Sequence, residues 1–158
     1  MDILNQQYEL VLGSRGVMLR FIENEIGQDI TTPIKEFNGS TILYLLIHTA
    51  ETYKHWGANF AMQQNLPYAY DDAGVVDISS IRQLFNEADK MIADFLKKFG
   101  DNLAAPVTGT TSRGMVLTLT PLQLFTHMIT HEYHHKGQIM TMCRLLGRTP
   151  PDTDVIRS

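Results

Sequence analysis

The chain has 158 residues, of which 44% are hydrophobic and 19% are charged, and its formal net charge is −4 at pH 7. This length fits one globular domain, and the apolar content is too high for a disordered chain. The acidic balance argues against nucleic-acid binding, which usually needs a basic face. The longest apolar run, Ile42 to Ile47, is too short to cross a bilayer. We therefore expect a single domain without membrane or nucleic-acid partners.

The single cysteine, Cys143, cannot form a disulfide within the chain, which is compatible with a reducing compartment. We expect it to pack as a small apolar group. The first residues show no cationic stretch leading into an apolar segment, as a secretory signal would. The expected location is therefore the cytoplasm.

The first predicted helix runs from about Asp2 to Ile26, because apolar residues recur there at intervals of three and four. Gly27 marks its predicted end, and Thr31-Thr32-Pro33 is typical of a loop. A second helix is predicted from an N-cap at Ser40 to about Gln64. Its first half is apolar on every side, so we expect it to lie in the centre of the fold.

Two further helices follow a crossover loop over residues 66–76. The third is predicted from a cap at Asp77 or Ser79 to Gly100, with one continuous apolar stripe. The fourth is predicted from Thr120-Pro121 to Gly147, since proline is tolerated in the first turn of a helix. Residues 101–119 form either a loop or a short hairpin. The pattern predicts an all-α fold, a four-helix bundle.

The chemistry is concentrated in the fourth predicted helix, where four of the six histidines lie between residues 127 and 135. The apolar stripe, continued in steps of three and four, reaches His131 and His135 at positions where leucine would be expected. Residues four apart on a helix have Cβ atoms about 5–6 Å apart, so the two imidazoles can converge on one ion. Burying an imidazole is costly unless its nitrogens have partners, and ligation supplies one. We predict a metal-binding pair; the alternative is two core histidines satisfied by hydrogen bonds.

His48 is the predicted third ligand, because it follows the apolar run and lies well inside the second helix. Three neutral imidazoles leave an open coordination position for water or substrate. Glu51, one turn later, is a candidate to orient a ligand or accept a proton; a solvated helix charge is the equal alternative. His55 is a second-choice ligand on nearly the same face. His127 and His134 share another face and are interpreted as rim groups or as exposed histidines.

The run His131-Glu132-Tyr133-His134-His135 also satisfies H-E-x-x-H, the zinc metalloprotease signature, in which Glu132 would be the general base. A third ligand normally lies downstream. Only 23 residues follow His135, and they contain neither His nor Glu; Asp152 and Asp154 remain, in a proline-rich tail. A zinc peptidase is therefore the minor alternative. A di-iron bundle is excluded, because it needs two Glu-x-x-His pairs and Glu132 with His135 supplies one.

The segment His131-Glu132-Tyr133-His134-His135-Lys136-Gly137-Gln138-Ile139, continued by Arg144-Leu145-Leu146-Gly147, resembles the DinB-like (damage-inducible) superfamily. Its members often carry H-x-x-x-H-R-G-Q followed by a leucine-rich turn and glycine. His48 matches the family's other histidine, on its second helix. The similarity extends over the whole chain in length and helix order. Lys136 replaces the commoner arginine, which keeps the charge but loses the planar fork.

The resemblance implies an up-down-down-up arrangement of the four helices, with a long crossover between helices two and three. It implies one divalent metal ion, zinc or nickel most often, held by His48, His131 and His135, and frequent homodimers. Relatives include transferases and isomerases that use low-molecular-weight thiols such as mycothiol or bacillithiol, and others described as metal-dependent hydrolases. The residues alone do not choose the metal, since three imidazoles suit zinc, nickel, copper or iron.

We therefore expect a metal-dependent enzyme acting on a small molecule, either a hydrolase that activates water or a thiol S-transferase that holds a thiolate. Candidates for the pocket walls are Tyr44, Trp56 and Tyr133. The rival class is a non-catalytic metal- or ligand-binding bundle related to stress, in which His55 or Glu51 completes a closed structural site. The simplest alternative is a metal-free bundle with buried histidines.

Overall fold

The computed structural model describes residues 3–70 and 73–157, and the described chain forms four α-helices and one short hairpin. The helices are α1 (Ile3–Phe21), α2 (Ile42–Tyr53), α3 (Ile78–Phe99) and α4 (Pro121–Leu145). The predicted all-α helical class is thereby confirmed, while the up-down-down-up order stays a prediction. Asp2, the predicted first residue of α1, lies outside the described residues.

Two of the helices continue in wider π-helical turns. Ile22–Ile26 extends α1 to its predicted end, and Lys54–Ala61 extends α2 to within a turn of its predicted end at Gln64. Such segments interrupt the regular hydrogen-bond ladder and are frequent at functional sites. The second one carries His55 and Trp56, so the irregular part of the helix is where two pocket residues lie.

The start of α2 differs from the prediction by one residue. Thr41 is the N-cap, and its hydroxyl accepts a hydrogen bond from the backbone N–H of Tyr44 at 3.0 Å. Ser40 instead forms an isolated antiparallel bridge with Ile34. Both residues can cap a helix, and the backbone pairing of Ser40 decides between them. The predicted cap at Ser40 is therefore wrong.

The starts of α3 and α4 agree with the prediction. Asp77 caps α3 and forms a reciprocal capping box with Ser80. Thr120 caps α4 and forms the same motif with Gln123, with Pro121 in the first turn. In each box the side chain of the cap satisfies a free backbone N–H of the first turn, and the third helical residue reaches back.

The segment between α3 and α4 forms a hairpin, which decides between the two predicted alternatives. Strand β1 (Val107–Thr110) pairs antiparallel with β2 (Val116–Leu119). The connecting loop is closed by a hydrogen bond from the backbone N–H of Thr111 to the carbonyl of Met115 at 2.8 Å. Gly114 has a φ of 78° there, a left-handed conformation that favours glycine.

The hairpin lies directly against the π-helical extension of α2. A Cβ atom on Gly109 would lie 2.6 Å from the carbonyl oxygen of Phe60, so only glycine permits this approach. The contact fixes the hairpin tip, with Ser112 and Arg113, over the pocket described below.

The hydrophobic core consists of two clusters, and α4 contributes to both. One cluster contains Ile139, Met142 and Cys143 of α4, and the other contains Leu124, Phe125 and Met128. Cys143 is fully buried, as predicted, and burial raises the pKa of its thiol to about 11. None of the helices described has both the length and the apolar character needed to cross a bilayer.

Candidate metal centre

Three imidazoles from two helices converge at one place. His48 comes from α2, and His131 and His135 come from successive turns of α4. Each offers a ligand atom, and these three atoms lie within 4.8 Å of one another. The ring centroids are 4.4–5.0 Å apart: 5.0 Å for His48–His131, 4.8 Å for His48–His135 and 4.4 Å for His131–His135. The structure therefore brings together the three residues that were predicted as ligands.

The orientation of the rings suits a shared ion. The Nε2 atoms of His48 and His131 lie 3.1 Å apart. Two nitrogens bound to a tetrahedral zinc ion at about 2.0–2.1 Å would be about 3.3 Å apart. Without a cation, the two nitrogens can share only one proton between them. The donor set and its spacing fit one divalent ion.

Outer partners hold two of the rings through their other nitrogens. His48 Nδ1 lies 2.8 Å from the hydroxyl of Tyr70, and His135 Nδ1 lies 2.6 Å from Oε1 of Gln138. Such contacts fix the ring orientation and leave Nε2 for a ligand. The sequence analysis missed both partners. Gln138 had a signal, three residues after His135 on the same helix, whereas Tyr70 lies in the crossover loop, where no periodicity marks it.

The imidazoles are held in the neutral, ligand-competent form. Burial, together with the neighbouring His135 and His48, lowers the pKa of His131 to about 3. Burial also lowers the pKa of His48 and is the largest cause of the lowered pKa of His135. A neutral imidazole keeps a lone pair for a metal ion at pH values where a free histidine is partly protonated.

A pocket of about 490 Å³ opens beside the histidine cluster. His48 and His131 form part of its wall, and its size is typical of a small-molecule site. A wider groove of about 820 Å³ lies between α1 and the segment after α4, but none of the three histidines lines it. We therefore place the site at the smaller pocket. Its lining residues are His48, Glu51, Thr52, His55, Trp56, Tyr68, Tyr70, Ser112, Arg113 and His131.

The family model of the DinB family matches residues 1–158. The chain belongs to the DinB family. The resemblance seen in the sequence is thereby confirmed over the full length given. A comparison with curated proteins finds no significant match. The reaction of this DinB protein therefore has to be argued from its own residues.

Glu51 of this DinB protein is a buried pocket residue, and its side chain is 1% exposed. The Nζ atom of Lys54 donates to Oε1 at 2.8 Å, whereas Oε2 has no hydrogen-bond partner among the described residues. The alternative of a solvated helix charge does not fit this burial. The side chain lies one turn after His48, as predicted, and its catalytic role stays a prediction.

Glu132, the general base of the peptidase interpretation, is engaged elsewhere in the DinB bundle. Arg15 of α1 donates from Nε to Oε1 at 2.9 Å and from Nη2 to Oε2 at 2.8 Å. The hydroxyl of Tyr53 also donates to Oε2. Glu132 is absent from the histidine cluster of the described chain. This geometry gives no support to a zinc peptidase mechanism.

The remaining histidines surround the DinB cluster without joining it. His55 lines the pocket, with Nδ1 2.6 Å from the hydroxyl of Tyr68. The ring of His127 lies 5.2 Å from that of Trp56, and His134 is exposed. Of the three aromatic residues expected in the pocket walls, the lining includes Trp56. The other two lie elsewhere: Tyr44 stacks on His48 with its centroid 6.2 Å away, and the ring of Tyr133 lies against the ammonium of Lys136.

Proposed function

We propose that this DinB protein is a metal-dependent enzyme in which His48, His131 and His135 hold one divalent ion, zinc or nickel. The single observation that carries the proposal is the convergence of three imidazoles beside a small-molecule pocket. A structural metal site usually has four protein ligands. The cluster found in the described residues has three, which leaves a coordination position for a substrate.

The proposed reaction is the transfer of a low-molecular-weight thiol to an electrophilic small molecule. An ion bound at the three histidines supplies Lewis-acid character there. Tyr70 and Gln138 hold the rings of His48 and His135 in place. The incoming thiol releases its proton to solvent, its sulfur displaces the leaving group of the electrophile, and the leaving group takes up a proton, so that the thiol and the electrophile give a thioether and the protonated leaving group.

Hydrolysis is the second candidate, because water can take the open coordination position in place of a thiol. The two reactions differ in the nucleophile that enters the pocket, and the lining residues do not distinguish them. A non-catalytic metal- or ligand-binding bundle is the rival class. It differs in the fourth coordination position, which exchanges with small molecules in an enzyme and is filled by a side chain in a structural site.

The first test is the metal content of untagged wild type and of His48→Ala, both purified without added metal and measured by mass spectrometry. We expect about one ion per chain in wild type and its loss in the variant. His134→Ala is the matched control, because His134 is exposed on α4 and lies outside the cluster. Circular dichroism checks that each variant is folded. A folded His48→Ala protein that keeps its metal would contradict the three-histidine site.

The second test separates chemistry from structure. The cobalt-loaded protein is titrated with low-molecular-weight thiols while its visible absorption is followed. A change in the cobalt bands is expected when a thiol enters the coordination sphere. A spectrum that no thiol alters would exclude the transferase and leave hydrolysis or a closed structural site.

A further inference from the structure

The polar groups of the pocket beside the histidine cluster include two charged ones that still have bonding capacity for a ligand. One is the buried Oε2 of Glu51, which has no hydrogen-bond partner among the described residues. The other is the guanidinium of Arg113, which is exposed and makes no ion pair or hydrogen bond within the described chain. Both residues line the same pocket of about 490 Å³. An acceptor and a cation therefore face one small volume.

The unpartnered oxygen of Glu51 is the stronger of the two observations. Buried polar atoms in folded proteins are nearly always hydrogen-bonded, and an exception needs an explanation. Lys54 compensates the charge of the carboxylate through Oε1, so the ion pair explains why the side chain can be buried. It does not explain the second oxygen. A ligand with an N–H or O–H group would supply the missing donor.

Arg113 is held over the pocket by the fold of the hairpin. Gly109 packs against Phe60 below the tip. The turn itself is closed by a hydrogen bond from the backbone N–H of Gly114 to the carbonyl of Thr111 at 2.9 Å. A guanidinium presents a rigid fork of donors that matches a carboxylate in two-point contact. An anionic group of a bound molecule is the partner that this position suits.

The aromatic side chains of the pocket do not compete for these contacts. The hydroxyl of Tyr68 lies 2.6 Å from Nδ1 of His55, and that of Tyr70 lies 2.8 Å from Nδ1 of His48. Since both hydroxyls are already engaged, these residues and Trp56 offer mainly ring faces to a ligand. Glu51 and Arg113 are the acidic and the basic residue of the lining, and we assign the charge selectivity of the pocket to them.

We propose that the pocket selects a small thiol that carries both a carboxylate and a hydrogen-bond donor such as an amine. Arg113 binds the carboxylate, and Oε2 of Glu51 accepts from the donor. The inference rests on the proposed function, because it takes the three-histidine cluster as the place where the thiol group reacts.

Three simple thiols test the proposal: L-cysteine has both groups, L-cysteinamide lacks the carboxylate, and 3-mercaptopropionate lacks the amine. Binding is followed by the fluorescence of Trp56, the only tryptophan in the chain, in metal-free and zinc-loaded protein. The cobalt-loaded protein gives a separate signal for coordination of sulfur. We expect L-cysteine to bind about five- to tenfold more tightly than either analogue, since each lost contact involves a charged group.

The variant Arg113→Gln should abolish the preference for L-cysteine over L-cysteinamide. Arg144→Gln is the matched control, because Arg144 is an exposed arginine of α4 that does not line the pocket. Glu51→Gln should abolish the preference over 3-mercaptopropionate and leave the preference over L-cysteinamide. Arg113 lies at an exposed hairpin tip, so its variant tests the proposal even if Glu51→Gln fails to fold.

The two signals distinguish the inference from the proposed function. Cobalt bands that change equally with all three thiols, in wild type and in Arg113→Gln, would overturn the inference and keep the function. A different outcome is that Trp56 fluorescence shows the Arg113-dependent preference and the cobalt bands do not change. That result would keep the pocket specificity and overturn thiol chemistry at the metal. If neither the fluorescence nor the cobalt absorption changes with any thiol, both proposals are overturned.

Discussion

Helix α4 carries two polar pairs that are offset by one residue and have opposite surroundings. His131 and His135 belong to the histidine cluster beside the pocket, where the Nε2 atom of His131 lies against another imidazole. Glu132 and Lys136 face the interior of the bundle. The carboxylate of Glu132 accepts from Arg15 and Tyr53, as described above. Successive residues of an α-helix point about 100° apart. This angle separates the open histidine cluster at the pocket from the closed network of Glu132 and Lys136 inside the bundle.

The closed network ties the four helices together. Arg15 of α1 also donates to Asp89 of α3, and the hydroxyl of Tyr8 donates to the same carboxylate at 2.7 Å. Fully satisfied buried networks specify a unique packing, whereas unsatisfied polar groups at a cavity indicate a ligand. The comparison predicts that changes on the face of Glu132 reduce stability and that changes on the face of His131 reduce metal binding.

The largest effect on stability is expected for Glu132→Ala. Removal of the carboxylate leaves the Arg15 guanidinium buried without its main counter-charge, which typically costs about 3–5 kcal/mol. The free energy of unfolding in urea measures the loss, and the metal content of the folded variant should stay unchanged. Glu9→Ala, at an exposed position of α1, should change stability by less than about 0.5 kcal/mol. A Glu132→Ala protein that folds but holds no metal would contradict the assignment of stability and metal binding to different faces of α4.

A second effect should appear when zinc is added. A ligand that binds only the folded state stabilises it, by about 2.7 kcal/mol at one hundred times its dissociation constant. Wild type and His134→Ala should show this gain in urea unfolding, and His131→Ala should show none. Without metal, we expect His131→Ala to be nearly as stable as wild type. Equal stabilisation of all three proteins by zinc would place the binding site elsewhere.

The hairpin over the pocket gives the third prediction. Gly109→Ala forces the added methyl group into the backbone of Phe60, and overpacking of this kind costs about 1–3 kcal/mol. Gly137→Ala is the matched control on the open side of α4, where no atom lies within 4 Å of the added group. It should raise stability by up to about 1 kcal/mol, because alanine is the better helix former. Urea unfolding should give a lower unfolding free energy than wild type for Gly109→Ala and a higher one for Gly137→Ala.

The smallest effect is expected at Asp77, which lies outside both clusters. A hydrogen bond from the backbone N–H of Ser80 lowers the pKa of its carboxyl below 3.8. Because the folded-state pKa is below the unfolded one, the contribution to stability is complete above the unfolded pKa and is lost as the pH falls through the folded pKa.

Asp77→Asn keeps a capping oxygen without titrating, so it isolates this contribution. The unfolding free energy of wild type should fall relative to that of the variant as the pH is lowered from about 6 to about 2. A difference that does not change with pH would show that the carboxylate charge is not part of the cap.

The parts of the fold that depend on local patterns could be predicted from the sequence. The caps at Asp77 and Thr120 follow from side chains that bond to their own helix. The convergence of His131 and His135 follows from helical spacing. The sequence could not decide whether residues 101–119 form a hairpin or a loop, because the pairing of β1 with β2 depends on packing against Phe60.

The buried partner of Glu132 could not be predicted either. Arg15 lies 117 residues earlier, and nothing in the pattern of α1 distinguishes it from an arginine on a solvated face. The same holds for Tyr70 and His48, which are joined through a crossover loop without periodicity. Contacts of this kind are set by the three-dimensional arrangement, which residue spacing does not contain.

The second residue of the closed face, Lys136, has a consequence for the segment that follows α4. Its ammonium group is buried and donates to the hydroxyl of Ser14 and to the carbonyl of Thr153, while Ser14 donates to the same carbonyl. The stretch after α4 therefore supplies, through the buried Thr153, part of the cover of a buried cation. A shortened protein that stops at the end of α4 would leave this ammonium without one of its acceptors, so we expect it to be less stable than the protein that keeps this segment.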